Sequence, residues 1–220
     1  MPGVAWPTWR DTQVRAHGQA AQALQIAPFH RVGQLQGRAV ARQVALLPDL
    51  DGEQIDLLPV QIIMSGPDSQ WHGIRQLYFH LITSARKHVY IQSPFFIPDE
   101  TIAGSYARRS AGRRRRAPDL HAPLATSTRF HTGGQHLFRR PGRGRVKTHL
   151  YDDGYYHAKT VNMDSQVCSI GSCNMDIRSY NVNYELNSVI YSRSKAEELA
   201  AQFMRDLEKS TPVRPGYVPG

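Results

Sequence analysis

From residue 58 onward, hydrophobic and polar positions fall into blocks of strand-like and helix-like period. Leu58 to Met64 is a nearly unbroken apolar run stopped by Ser65-Gly66-Pro67, which predicts a mostly buried strand. Asp68 or Ser69 is placed to cap a following helix. In that helix Ile74, Leu77, Tyr78, Leu81, Ile82 and Ala85 recur at i, i+3, i+4, i+7, i+8 and i+11, one apolar stripe on one face. Arg86-Lys87-His88 suits the negative end of its dipole. Val89 to Phe96, rich in β-branched and aromatic residues, predicts a second strand. Strand, amphipathic helix and strand together predict an α/β fold, a sheet with helices packed on it.

Asp99 and Glu100 signal another helix start, as cap and first-turn acid. Residues 102–146 then lack any sustained apolar period, and Arg113 to Arg116 are consecutive, so neither helix nor strand is expected there. Order resumes with a strand over Lys147 to Tyr151, a turn at Asp152-Asp153-Gly154, and a strand over His157 to Met163. A tight turn at Asp164-Ser165 leads to a hairpin partner over Val167 to Ile170. The last strand, Tyr184 to Tyr191, precedes a helix from about Lys195 with Leu199, Phe203 and Leu207 as its core stripe. Upstream, Trp9 to Arg15 alternates like a strand, and Gln19 to Ile26 is helix-forming until Pro28 cuts it short.

The length, 220 residues with 40% hydrophobic, suits one domain and excludes disorder throughout. The net charge of +9 invites a nucleic-acid or anionic-membrane reading. By position it narrows: residues 101–150 hold eleven Arg and Lys147 against the single acid Asp119, and the rest carries fifteen cations against seventeen acids. The basic block has no interleaved aromatics for stacking, so a nucleic-acid partner is not expected. His131 and His136 have neither Cys nor carboxylate beside them, and no metal site is expected. His72, His80 and His88 read as histidines facing solvent or satisfying local bonds. Cys168 and Cys173, with four residues between them on a strand and its following loop, read as buried thiols rather than a bridge. No apolar run reaches membrane-spanning length, and Met1 to Trp6 lacks the regions of a signal peptide.

The chemistry is concentrated in His157-Ala-Lys159-Thr-Val-Asn-Met-Asp164, Gly171-Ser172-Cys-Asn174 and Asn183-Tyr-Glu185. On a strand, His157 and Lys159 project from one side about 7 Å apart, offering an imidazole and an ammonium to one anion. The hairpin brings Gly171, Ser172 and Asn174 alongside, where small size and neutral donors suit phosphoryl oxygens. Imidazole, cation and donors converging on one point equip a site for phosphoryl transfer without metal or other cofactor. Glu185, on an adjacent strand, is placed to hold the second ring nitrogen of His157.

These residues together resemble the HKD motif of the phospholipase D superfamily. The resemblance implies a phospholipase D-like mixed β-sheet flanked by helices. It further implies a histidine that is a phosphohistidine nucleophile or an acid, with Lys159 and Asn174 binding phosphate and Glu185 orienting the His. Asp164, past the strand end, reads as a turn carboxylate more than a reactant. Trp9 to Arg15, Tyr90 to Asp99 and Asn174 to Glu185 narrow the resemblance to bacterial cardiolipin synthases. Those enzymes join two phosphatidylglycerol molecules, release glycerol and work at the cytoplasmic membrane. By resemblance, His157 is the general acid/base, and phosphatidylglycerol or another anionic phospholipid and the membrane surface are the expected partners.

The chain also departs from the family pattern. Relatives carry two HKD motifs, whereas these residues hold one, and Gln13 stands where a His is usual. Residues 1–57 accordingly read as the remnant of a preceding HKD domain and linker, and 58–220 as the C-terminal phospholipase D-like domain. The missing first half, or a second copy of the chain, is the expected partner of the site. The Arg-rich block replaces an expected helix, strand and helix, and reads as a frame shift in a GC-rich gene. The alternatives are a single-HKD dimeric phosphodiesterase or nuclease, and an inactive fragment.

Overall fold

The computed structural model describes residues 8–26, 58–111, 119–124 and 146–213. Its centre is an eight-stranded mixed sheet in the order β12-β6-β5-β3-β8-β9-β11-β2. These strands are β2 (Val60–Ser65), β3 (His88–Gln92), β5 (Asp119–Leu124), β6 (Val146–Tyr151), β8 (Thr160–Met163), β9 (Val167–Gly171), β11 (Glu185–Ile190) and β12 (Ser210–Pro212). The pairs β3–β5 and β5–β6 are parallel and the remaining neighbours antiparallel. Two short parallel pairs lie beside it: β1 (Trp9–Arg10) with β7 (Tyr155–Tyr156), and β4 (Phe96–Ile97) with β10 (Met175–Asp176). The helices are α1 (residues 19–26), α2 (Gly73–Ser84), α3 (Glu100–Ala111), α4 (Ile177–Asn181) and α5 (Arg193–Glu208). Among the described residues no helix is long and apolar enough to cross a membrane.

The predicted stripe of α2 is the heart of the core. Ile74, Tyr78, Leu81, Ile82 and Ala85 are buried with Val89 and Ile91 of β3, Val161 of β8 and Met175 of β10. Each such side chain contributes about 1.5–3 kcal/mol by leaving water. The strand–helix–strand unit is present, but β2 and β3 are not neighbours: β11, β9 and β8 stand between them. The cap differs from expectation too. Helix α2 starts at Gly73 after His72 in the left-handed region (φ 43°), and Ser65 Oγ, from the end of β2, accepts the Ile74 N–H at 2.9 Å. Asp68 and Ser69 belong to the preceding turn, where Ser69 Oγ accepts the Gly66 N–H at 2.8 Å.

The expectation of irregular structure throughout 102–146 is corrected in two places. Asp99 does cap a helix, accepting the Ile102 N–H at 2.9 Å, and α3 runs on to Ala111. Tertiary packing compensates for the weak apolar period, because Ile102 and Ser105 are 0% and 3% exposed. Strand β5 joins β3 to β6, its backbone hydrogen bonds satisfied on both sides although its sequence, with a proline, carries little strand signal. Residues 112–118 and 125–145, with Arg113 to Arg116, His131 and His136, lie outside the described residues.

Two further differences concern the site. The predicted strand over His157 to Met163 begins only at Thr160, so His157, Ala158 and Lys159 form an extended link between β7 and β8. The predicted strand over Val89 to Phe96 breaks at Ser93-Pro94-Phe95, and its end pairs with β10 in a separate ribbon. Cys168 and Cys173 are buried free thiols, as read from their spacing.

Candidate active site

His157 follows β7, and its backbone N–H donates to Arg10 O at 2.8 Å, continuing the β1–β7 ladder by one rung. That rung brings Asp11 alongside, with Asp11 Oδ2 2.8 Å from His157 Nδ1. The carboxylate partner of His157 is therefore Asp11. Glu185, the residue expected in this role, accepts instead from Ser172 Oγ at 2.5 Å and Asn183 Nδ2 at 3.0 Å. Burial pushes the Asp11 carboxyl up, but the bonds from His157 and the Thr12 N–H, with the charges of His157 and Lys159, outweigh it and leave the carboxyl below its ordinary value. An ionised carboxylate only accepts, so Nδ1 carries a proton and Nε2 is the nitrogen that exchanges a proton with substrate. The imidazole is also shelved by Trp9 and Tyr155, with ring centroids 5.1 Å and 5.8 Å away.

Lys159 is 8% exposed, and its Nζ donates to His157 O at 2.6 Å. Burial depresses its pKa, against the pull of Asp11 and of Glu185. Both carboxylates favour the charged ammonium. Gly171 donates its N–H to Lys159 O at 3.2 Å, and a Cβ at Gly171 would collide with Leu186 O and the Asn187 side chain. That close approach puts Ser172 against β11, where the Leu186 N–H donates to Ser172 Oγ at 3.0 Å. Asn174 donates through Nδ2 to Ser179 Oγ at 3.3 Å, while its Oδ1 is buried with no partner among the described residues. Asn174 lies at the foot of α4, where Asp176 caps the helix through the Ser179 N–H at 2.7 Å.

Asp164 is elsewhere. It stands beyond the far end of β8 and accepts the backbone N–H groups of Arg86, Lys87 and His88 at 2.7, 2.7 and 2.9 Å. Burial raises its pKa, but those three bonds and the neighbouring His88 bring it below the ordinary value. Its chemistry is to close the loop between α2 and β3. The structure brings His157, Lys159, Ser172, Asn174 and Glu185 toward one end of the sheet and leaves Asp164 at the other.

A family profile described as cardiolipin synthase, PLD-like domain matches residues 78–207, the span holding His157, Lys159, Asp164, Ser172, Asn174 and Glu185 but not Trp9 to Thr12. The chain belongs to this phospholipase D-like family. It is 32% identical over 217 residues to a cardiolipin synthase of Geobacillus sp. (strain WCH70), covering 93% of this chain and 40% of that protein. It is 34% identical over 208 residues to cardiolipin synthase 2 of Bacillus anthracis, again covering 93% of this chain and 40% of the relative. The chain thus spans about two fifths of the length of the curated relatives it matches. The fold is shared with Nuc, a phospholipase D family member from Salmonella typhimurium, at a TM-score of 0.59 and 16% identity, covering 72% of this chain and 99% of that one. It is shared also with phosphatidylserine synthase from Haemophilus influenzae Rd KW20, at a TM-score of 0.54 and 13% identity, over 74% of this chain and 41% of that one.

Asp11 lies in the Trp9 to Arg15 stretch that carries part of the resemblance, but nothing local ties it to His157. It lies 146 residues from His157 and falls in a segment assigned to a domain remnant and linker. The structure lays Trp9 and Arg10 on β7, so the site straddles that boundary.

Proposed function

We propose that this chain supplies one histidine half of a phosphatidyltransferase site that converts phosphatidylglycerol to cardiolipin and glycerol. The observation that carries the reading is the His157 Nδ1 to Asp11 Oδ2 contact of 2.8 Å beside the buried Lys159 ammonium, a proton-transferring imidazole next to a phosphate-binding charge. The second histidine comes from another such motif, in a longer form of the protein or in a second copy. That histidine attacks phosphorus, forming a P–N bond as the P–O bond to glycerol breaks, and His157, entering the step as imidazolium, gives its Nε2 proton to the departing glycerol oxygen. Nε2 then takes the proton from the hydroxyl of a second phosphatidylglycerol, whose oxygen forms the new P–O bond as the P–N bond breaks.

Lys159 and Asn174 hold the phosphate oxygens, while Ser172 and Glu185 fix the β9–β11 end against them. Trp9 to Asp11 belong functionally with the domain over 58–220. The substrates are membrane lipids, so the protein works at a bacterial cytoplasmic membrane surface. This chain with a first-motif half supplied in trans, and the same mixture made with its His157→Ala variant, incubated with vesicles containing phosphatidylglycerol, test the reading. Cardiolipin and glycerol formed by the first and not by the second support it; DNA cleavage dependent on His157 without lipid turnover replaces it with a dimeric nuclease.

A further inference from the structure

Asp206 is a carboxylate on the inner face of α5, 2% exposed, in a helix whose other buried positions are Ala196, Leu199 and Phe203. A charge there is costly unless every lone pair is occupied. Asp206 Oδ1 accepts from Arg10 Nε and Gln202 Nε2, both at 2.9 Å. Its Oδ2 accepts from Arg10 Nη2 at 2.8 Å, Gln92 Nε2 at 2.9 Å and the Tyr156 hydroxyl at 3.0 Å.

Where these bonds land is the informative part. Arg10 immediately precedes Asp11, and its guanidinium also donates to Asp11 O and to Thr12 Oγ1. Tyr156 immediately precedes His157. Gln92 passes the connection on, its Oε1 accepting from Thr160 Oγ1 at 2.7 Å, and Thr160 immediately follows Lys159. One buried carboxylate therefore fixes the chain neighbour of each of three site residues. The bidentate Arg10 pair, with the guanidinium 5.8 Å from the Tyr156 ring centroid, clamps the two strands whose next residues are Asp11 and His157.

We infer that Asp206 is a positioning residue that sets the His157–Asp11 pair and the height of Lys159 from within the core. Asp206 touches no substrate and acts through Arg10, Tyr156 and Gln92. The inference rests on reading His157 as the reacting group, and its main readout is independent of turnover. The test measures the ring nitrogen shifts of His157 by 15N NMR in the whole chain, for wild type, Asp206→Asn and Tyr156→Phe, with melting temperature and vesicle kinetics alongside.

Wild type shows one tautomer, protonated at Nδ1. Asp206→Asn shows a mixture enriched in Nε2–H, and kcat falls on the order of tenfold to a hundredfold with KM held within about twofold. Tyr156→Phe, lacking a single hydroxyl, shifts the tautomer in the same sense to a smaller degree and carries the test if Asp206→Asn does not fold. Folded variants with lowered melting temperature but wild-type ring shifts would overturn the inference. A tautomer shift in a protein that makes no cardiolipin even with the second histidine half supplied retains the positioning role and discards the proposed reaction.

Discussion

Asp11 and His157 are 146 residues apart in sequence and 2.8 Å apart in space, joined Oδ2 to Nδ1. The contact exists because β1 and β7 pair in parallel, Trp9 with Tyr155 and Arg10 with Tyr156, and the next residue of each strand faces the other. Asp11→Asn keeps the shape but offers an amide that can donate to Nδ1 and stabilise the wrong tautomer. Turnover of phosphatidylglycerol should fall on the order of a hundredfold or more, with KM little changed, in steady-state kinetics on vesicles. A variant within threefold of wild type would remove Asp11 from the mechanism.

Lys159→Met preserves most of the buried stem and removes the charge. Loss of the phosphate clamp should lower kcat/KM on the order of a hundredfold to a thousandfold while the melting temperature holds or rises, since a buried ammonium is replaced by a thioether. Burial, the largest influence on Lys159, depresses its pKa, so the charge is lost below the ordinary lysine value of 10.5. The alkaline limb of the activity profile should therefore begin under that value. A limb starting above it counts against a buried charge at the phosphate.

Asp164 is predicted to matter for stability and not for chemistry. Asp164→Ala strands three backbone N–H groups and puts alanine at φ 55°, and should cost about 3 kcal/mol by denaturant unfolding. Asp164→Asn, which tolerates the left-handed region, should cost less, and both should keep wild-type kcat per folded molecule. Desolvation raises the Asp164 carboxyl, yet its backbone bonds bring it net below the ordinary 3.8, so folding favours the ionised form. That contribution is full above 3.8 and is lost as pH falls through the lower folded value. Stability of Asp164→Asn should consequently fall less steeply on acidification below pH 3.8 than that of wild type.

The two thiols should be silent in the folded protein. Cys168 and Cys173 are each 1% exposed, and burial pushes Cys168 up to about 11 and Cys173 higher still. Maleimide labelling at neutral pH should give no adduct natively and two in denaturant. Rapid native labelling of either would place that strand end in solvent.

Much of this molecule was legible from period and turn chemistry. The α2 stripe, the Asp164-Ser165 turn with both residues at positive φ, the β8–β9 hairpin and α5 all stand where the pattern puts them. So does the meeting of Ser172 with Glu185, because a hairpin and its neighbour carry register over short separations. The continuation of α3 past residue 102 and the whole of strand β5 were illegible because their stability comes from neighbours. Ile102 is buried by packing, and β5 is paired on both edges, while their own residues show little periodicity. Asp206 did leave a trace: it falls three residues after Phe203 and seven after Leu199, an acid on an apolar stripe, where Leu207 was expected and is only half-buried.

The sequence by itself determined which chemical groups this chain has and which of them lie on one hairpin, since those relations follow from side-chain period and chain connectivity. Only the tertiary structure decided that Asp11, and not Glu185, holds His157, and that Asp206 braces both. Those choices depend on which strands close against each other across 146 and 196 residues, a matter of packing and buried-charge satisfaction that no local pattern records.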